Sequence, residues 1–526
     1  MAVKKQRKLL RRAIPGMGII LLIFAVLYLL PDDRIVVSPE TTFVTEPLDA
    51  EGYVDYLAAA NDLMREGVTP ENNAAVLYLR ALGPAKIEPA VRNDFFRQLG
   101  IEPLPEEGDY FESRASYNER VLAEERIVER ENAAAEEVAS IEFELNSIPW
   151  RREDDPHIAR WLDANEAALA LLVAGTKRTH HFLPLVPKPQ REYEHIRFTP
   201  GEAEHLNHQY MGMARALMMR AMLRSGSGEH KLAWDDCLAT VRLARTTVSS
   251  PSILSVSLAI LKCRMATTGM ASVLHEGEFS REELLERRRE FRETVFDVSV
   301  RDAHSRIERF SILDMIQAVA RSSEDTHHHL LRGGVDWNDI LRRVNQDFDK
   351  LAQNLDETAS DSSKRDQPET PQAMATEGDR NVVWQSARYL FSRAARTKQT
   401  KVRFEDIYRY LTDPNETIYN SAHESNHTRQ EIEAIFALSL YRAEHGTYPE
   451  TLDALVPNFL DSIPVDFWEE PLRYAREGVG YHLYSIGENG VDDDGANESD
   501  GGAVGSDDVG YRVPKVLTIP RAADAP

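Results

Sequence analysis

The chain has 526 residues, 42% of them hydrophobic and 28% charged, with 27 Gly and 26 Pro. This is globular composition, so a collagen-like, low-complexity or wholly disordered protein is excluded, and the length asks for more than one domain. The formal net charge is −24, and the six cations Lys4, Lys5, Arg7, Lys8, Arg11 and Arg12 stand ahead of everything else with no acid among them. The body that follows is more acidic than the whole and repels nucleic-acid phosphates, so no nucleic-acid partner is expected.

Residues 1–12 read as a basic cytoplasmic tail. Residues 13–30, AIPGMGIILLIFAVLYLL, run 18 residues without a charge, about the length that crosses a hydrocarbon core as a helix. No small-residue cleavage site follows; Leu29, Leu30, Pro31, Asp32 and Asp33 come next, which favours an uncleaved signal anchor over a secretory peptide. With the cations on the near side, the positive-inside rule predicts a single-pass protein of the cytoplasmic (inner) membrane with the bulk of the chain exported to the periplasm or cell exterior.

After a linker over residues 31–50, apolar residues recur three and four apart over residues 51–355, as at Tyr53, Tyr56, Leu57 and Ala60, or Met211, Ala214, Leu217, Met218 and Met222. Alternating strand patterns are scarce, so an all-α exported domain is expected. Its best unit is a helical hairpin of the tetratricopeptide kind between Leu206 and Thr247, broken at Gly226 and Gly228, without a 34-residue period. Cys237 and Cys263 flank the turn signal of residues 249–252 at similar distances, so a disulfide between them and two buried thiols are both open. The Glu-rich helices between Ile101 and Ala139 read as solvated faces held by side-chain pairs. Residues 356–380 are polar and carry Pro, and are expected to form a disordered linker. Residues 381–428 form a helical connector, basic at Arg388, Arg393, Arg396, Lys398, Lys401 and Arg403.

The pattern changes over residues 429–518, ahead of a tail over residues 519–526. An amphipathic helix with Ile432, Ile435, Phe436 and Leu440 on one face stops at Gly446. A helical turn at Leu452–Leu455 follows, then a hairpin turning at Gly478 and a last strand near Val509 to Val513. The ordered motifs Gly446-Thr447-Tyr448-Pro449, Leu455-Val456-Pro457, Ile463-Pro464-Val465-Asp466, Pro471-Leu472-Arg473-Tyr474 and Tyr481-His482-Leu483-Tyr484-Ser485-Ile486-Gly487 closely resemble the C-terminal half of the major pseudopilin of type II secretion systems. The resemblance implies a small α+β domain in which the loop after the Tyr-Ser-x-Gly strand binds calcium. Here that loop is residues 488–508. By position in the motif, Asn489 falls at an early ligand and Asp507 and Asp508 at the closing acidic residues, while Asp492, Asp493, Asp494 and Asp500 are extra oxygen donors of the kind calcium takes. The loop departs from the family by its length and by Asn at 489. The family's N-terminal signature is missing too, with Leu21 where its Glu belongs, so a polymerising pilin subunit is not expected.

One enzyme motif occurs. His423-Glu424-Ser425-Asn426-His427 spells H-E-x-x-H, which in zinc peptidases sets two imidazoles on one helix face with Glu as base; Glu444 is a candidate third ligand, though nothing in the sequence singles it out. Ser425 and Asn426 are poor helix-interior residues and argue against it. His327, His328 and His329 read as a solvated run. The expected fold is therefore mainly α: an N-terminal transmembrane helix, a large helical-hairpin domain and a small pseudopilin-like α+β domain. The expected function is a non-enzymatic envelope scaffold or partner-binding module, with calcium as its cofactor, envelope proteins as partners and a link to secretion or pilus-like machinery; the alternative is an anchored zinc metallohydrolase using His423, Glu424 and His427.

Overall fold

The structure is a computed structural model and describes residues 34–125, 144–187, 201–248, 253–295, 307–325, 336–360, 415–466, 468, 470–487, 489–497 and 505–515. The apolar segment 13–30, His327–His329 and the basic run from Arg388 to Arg403 lie outside them. The chain is mainly helical with one small antiparallel sheet. In chain order the helices are α1 (Tyr56–Arg65), α2 (Ala74–Leu82), α3 (Arg92–Leu99), α4 (Arg114–Glu125), α5 (Pro156–Ala164) and α6 (Glu166–Thr176). The long helices follow: α7 (Gly201–Gly226), α8 (His230–Val248), α9 (Ile253–Glu276), α10 (Arg281–Thr294), α11 (Arg309–Asp325), α12 (Trp337–Ser360) and α13 (Asn415–His445). The strands are β1 (Arg473–Glu477), β2 (Gly480–Ser485) and β3 (Val509–Val513). No described helix is long and apolar enough to cross a membrane.

The chain divides into two compact units, one of residues 1–60, 190–199 and 304–417, the other of residues 61–189, 200–303 and 418–526. In the first, α12 buries Trp337, Ile340, Leu341, Val344 and Phe348 on one stripe, the spacing of a helix with one face in a core. Residues 34–54 form turns and one short antiparallel bridge, Leu48 with Val54, and side-chain amides answer part of the remaining backbone. Asn338 accepts the Val36 N–H at 2.8 Å and donates to the Arg34 carbonyl at 2.9 Å; Asn345 donates to the Thr41 carbonyl and Gln317 to that of Val54. The Arg309 guanidinium, 1% exposed, lies 4.1 Å from the Phe43 ring and pairs with Asp349. The stretch read as a linker is thus tied to α11 and α12, and α12 itself runs to Ser360, into the segment where the polar linker was expected.

The second unit is built on α7, α8 and α9. The α7–α8 hairpin falls where the glycines place it: α7 ends at Gly226 and Gly228 takes φ +81°. Its buried ionic knot joins Asp236, 2% exposed, to Arg220 at 2.7 and 3.0 Å and to Arg224 at 2.7 Å. Residues 418–526 belong to the same unit. Helix α13 places Phe436 against Trp234 of α8 and Phe291 of α10, and Glu433 pairs with Arg288 and Arg292 at 2.6 Å. The sheet has order β1-β2-β3, every residue of the central β2 is buried, and Tyr511 of β3 donates to Glu431 at 2.8 Å and meets the Thr267 hydroxyl of α9 at 3.2 Å. Tyr448 stacks on His275 with ring centroids 6.0 Å apart. The helical turn Leu452–Leu455, the hairpin turning at Gly478 and the last strand all occur where the sequence puts them.

Candidate metal centre

The acidic loop begins where β2 ends. Gly487 has φ +67°, and a Cβ there would fall 2.3 Å from Asp507 Oδ1, so only glycine lets the strand end come this close to that carboxylate. Residues 489–497 then fold back onto 505–508, closed by a bridge between Asn497 and Asp507 and by the Asp508 N–H on the Ala496 carbonyl at 3.1 Å. The fold-back carries Asp508 inward to 1% exposure. Its Oδ2 accepts the N–H groups of Asp493 at 3.0 Å and Gly495 at 2.8 Å, while Oδ1 has no partner among the described residues.

Asp493, Asp507 and Asp508 each bring one carboxylate oxygen to within 4.8 Å of the others, and this is the one group of potential metal ligands found among the described residues. Burial lifts the Asp508 carboxyl above its ordinary pKa, with Asp493 and Asp492 adding to the rise against the two backbone N–H groups. Such an arrangement favours a cation, because three carboxylates gathered within 4.8 Å repel one another. Oxygens sharing one calcium at roughly 2.3–2.6 Å are at most about 5 Å apart, so the spacing and the hard-oxygen donors fit that ion. Bound there, calcium would supply the missing positive charge, held by these three residues.

The other expected ligands do different work. Asn489 is a brace: its N–H donates to Asp507 at 3.0 Å, its amide to the Gly505 carbonyl at 2.9 Å, and its Oδ1 accepts the Val491 N–H. Asp492 accepts the Tyr484 hydroxyl at 3.0 Å and the Asp494 N–H at 3.1 Å, and lies 3.7 Å from Arg473. Asp494 takes φ +58° to turn the chain. Asp500 lies outside the described residues. Gly487 is the glycine that closes the Tyr-Ser-x-Gly motif, whereas sequence alone did not single out Gly495; its signal was glycine beside the acidic run, and a Cβ there would strike the His482 ring at 1.9 Å.

The backbone of His423, Glu424 and His427 is helical within α13, and their side chains lie outside the described residues. Glu444 does not complete that motif. It accepts Arg281 Nε at 2.6 Å and lies about 25 Å beyond His427 along the helix at 1.5 Å per residue. Cys237 and Cys263 are free thiols. The reason is register: Cys237 Sγ lies 3.5 Å from a Cβ placed on Gly269, which puts it level with a point of α9 about 9 Å past Cys263.

No protein-family model, no curated protein and no solved structure matches the chain.

Proposed function

We propose that this chain is a membrane-anchored envelope protein, a non-enzymatic scaffold or partner-binding module whose pseudopilin-like C-terminal part is stabilised by calcium. The observation that carries the reading is the convergence of the Asp493, Asp507 and Asp508 carboxylates, together with an Asp508 oxygen that has no partner among the described residues. A loop closed in this way fixes the start of β3, and β3 in turn packs on α9, so calcium held there would lock the sheet to the helical body. The uncharged stretch 13–30 behind six cations supports anchoring, with the loop on the exported side. The order of motifs from Gly446 to Gly487 supports kinship with the calcium-binding pseudopilins and a place near secretion or pilus-like machinery.

Elemental analysis of the full chain, purified in detergent and equilibrated with micromolar calcium and zinc, tests the reading. One calcium per chain is expected, lost in D507A/D508A and kept in H423A. Stoichiometric zinc lost in H423A, with no calcium retained, would replace the scaffold by the metallohydrolase.

A further inference from the structure

A second set of polar side chains lies inside the helical body of the same unit, at the end of the α7–α8–α9 bundle nearest the α8–α9 turn. Lys262 of α9 and Tyr210 of α7 are 0% exposed and His181 is 4% exposed. Lys262 Nζ reaches one partner, the Thr247 hydroxyl of α8 at 3.3 Å, whereas the Tyr210 hydroxyl and both nitrogens of His181 have none among the described residues. The three share one neighbourhood. The Tyr78 ring lies 5.8 Å from that of His181 and 5.1 Å from that of Tyr210, and His181 and Tyr210 are 5.9 Å apart. The Tyr78 hydroxyl meets Thr246 at 2.9 Å, next to the threonine that takes Lys262, and the charge of Lys262 bears on His181.

Lysine is almost never fully buried unless paired, and no carboxylate among the described residues acts on this one; the adjacent Cys263 is a thiol that burial keeps protonated. The chemistry around it is unbalanced toward donors. An ammonium offers three N–H groups and no acceptor, and here one acceptor meets it, whereas a neutral imidazole and a phenol each offer one donor and one accepting atom, so the surplus of donors sits on Lys262. Groups of this kind, held in a dry interior, are matched by a ligand that only accepts hydrogen bonds and carries negative charge.

We propose that Lys262, Tyr210 and His181 form an internal binding site for a small anion, a carboxylate or inorganic ion of a few atoms. Without it, burial pushes the Lys262 amine down to about 7 and the His181 ring down to about 3; an anion beside them restores the charged ammonium. This site is separate from the acidic loop and from calcium.

Thermal unfolding of the full chain at pH 6.5, with acetate, phosphate or chloride titrated while a bulky sulfonate holds ionic strength, is the test. At least one of these anions should raise Tm saturably, by about 2–4 °C at a hundredfold excess over its Kd. The rise should vanish in K262M and need about tenfold more anion in Y210F, which keeps the charge and removes one donor. If K262M does not fold, the Y210F shift in half-saturation decides. No saturable rise with any of the three, or a rise of equal size and midpoint in both variants, would overturn the site.

Discussion

Asp508 accepts two backbone N–H groups on one carboxylate oxygen, its other oxygen has no partner among the described residues, and the carboxylate stands beside those of Asp493 and Asp507. Its raised pKa sets the sign of a prediction. The folded state holds this proton more tightly than the unfolded state, so the metal-free protein loses stability as pH rises from the ordinary Asp value through the raised one, and the penalty is complete once pH exceeds the raised value. In D508N the amide oxygen still accepts both N–H groups and the like charge is gone. With chelator at pH 7, D508N should therefore melt at or above the wild-type temperature; with millimolar calcium the wild type should rise and D508N should not. Scanning fluorimetry with and without calcium reads both. Asp236 is the opposite case, a buried carboxylate already answered by Arg220 and Arg224. Removing it leaves the guanidinium of Arg220, 6% exposed, with Glu166 at 2.8 Å as its remaining carboxylate, so D236A should cost up to about 3 kcal/mol in urea unfolding, the low end for breaking a buried pair.

At the scale of elements, what could be read in advance had local signals. Gly226 and Gly228 end α7, Gly446 ends α13, and Gly478 turns β1 into β2, each a position where the next few residues decide the backbone. Elements fixed by distant partners were not legible. Residues 34–54 carry no strand or helix pattern, because part of their backbone is answered by Asn338, Asn345 and Gln317, far along the chain. Helix α13 starts at Asn415, ahead of the amphipathic pattern that marks its second half. In the candidate site, Asp493, Asp507 and Asp508 were legible from residue type and motif, whereas Asn489 turned out to spend its amide on the loop itself. Equal spacing from a turn did not give the α8–α9 register either, so both cysteines should alkylate in denaturant without reductant; a mass showing fewer than two adducts would contradict the free thiols. Gly226 offers a sharper test of the α7 terminus. A Cβ there would fall 2.2 Å from the Trp150 carbonyl oxygen, and backbone cannot yield as a side chain does, so G226A should lose about 1–3 kcal/mol, measured by denaturant midpoint.

At the scale of the whole molecule, the second unit combines the helical body and the three-stranded sheet, and its acid sensitivity follows from how they are joined. Burial, with the charge of Arg442, pushes His275 down to about 4; burial, with Arg512 and Lys515, does the same to His482. Both rings are held neutral in the fold, so their contribution is complete above an ordinary histidine pKa of about 6.5 and is lost as pH falls toward 4. Glu433 acts lower. Burial lifts its carboxyl, but Arg292 and Arg288 more than offset this and leave its pKa below the ordinary value, so its contribution persists above about 4.5 and fades as pH drops through the folded value. His275 and Glu433 lie where α13 meets α9 and α10, whereas His482 lies between Arg512 of β3 and Gly495 of the acidic loop, so acid should weaken the joint and the loop seat in two stages. Tm should fall between pH 6.5 and 4.5, and H482Q should flatten that slope whatever it does to the absolute Tm. E433Q should leave the slope intact, lowering Tm at pH 7 while converging on the wild type below about pH 4. A Tm flat from pH 7 to 4.5 would mean that the buried imidazoles are protonated without cost and that the joint does not depend on their neutrality.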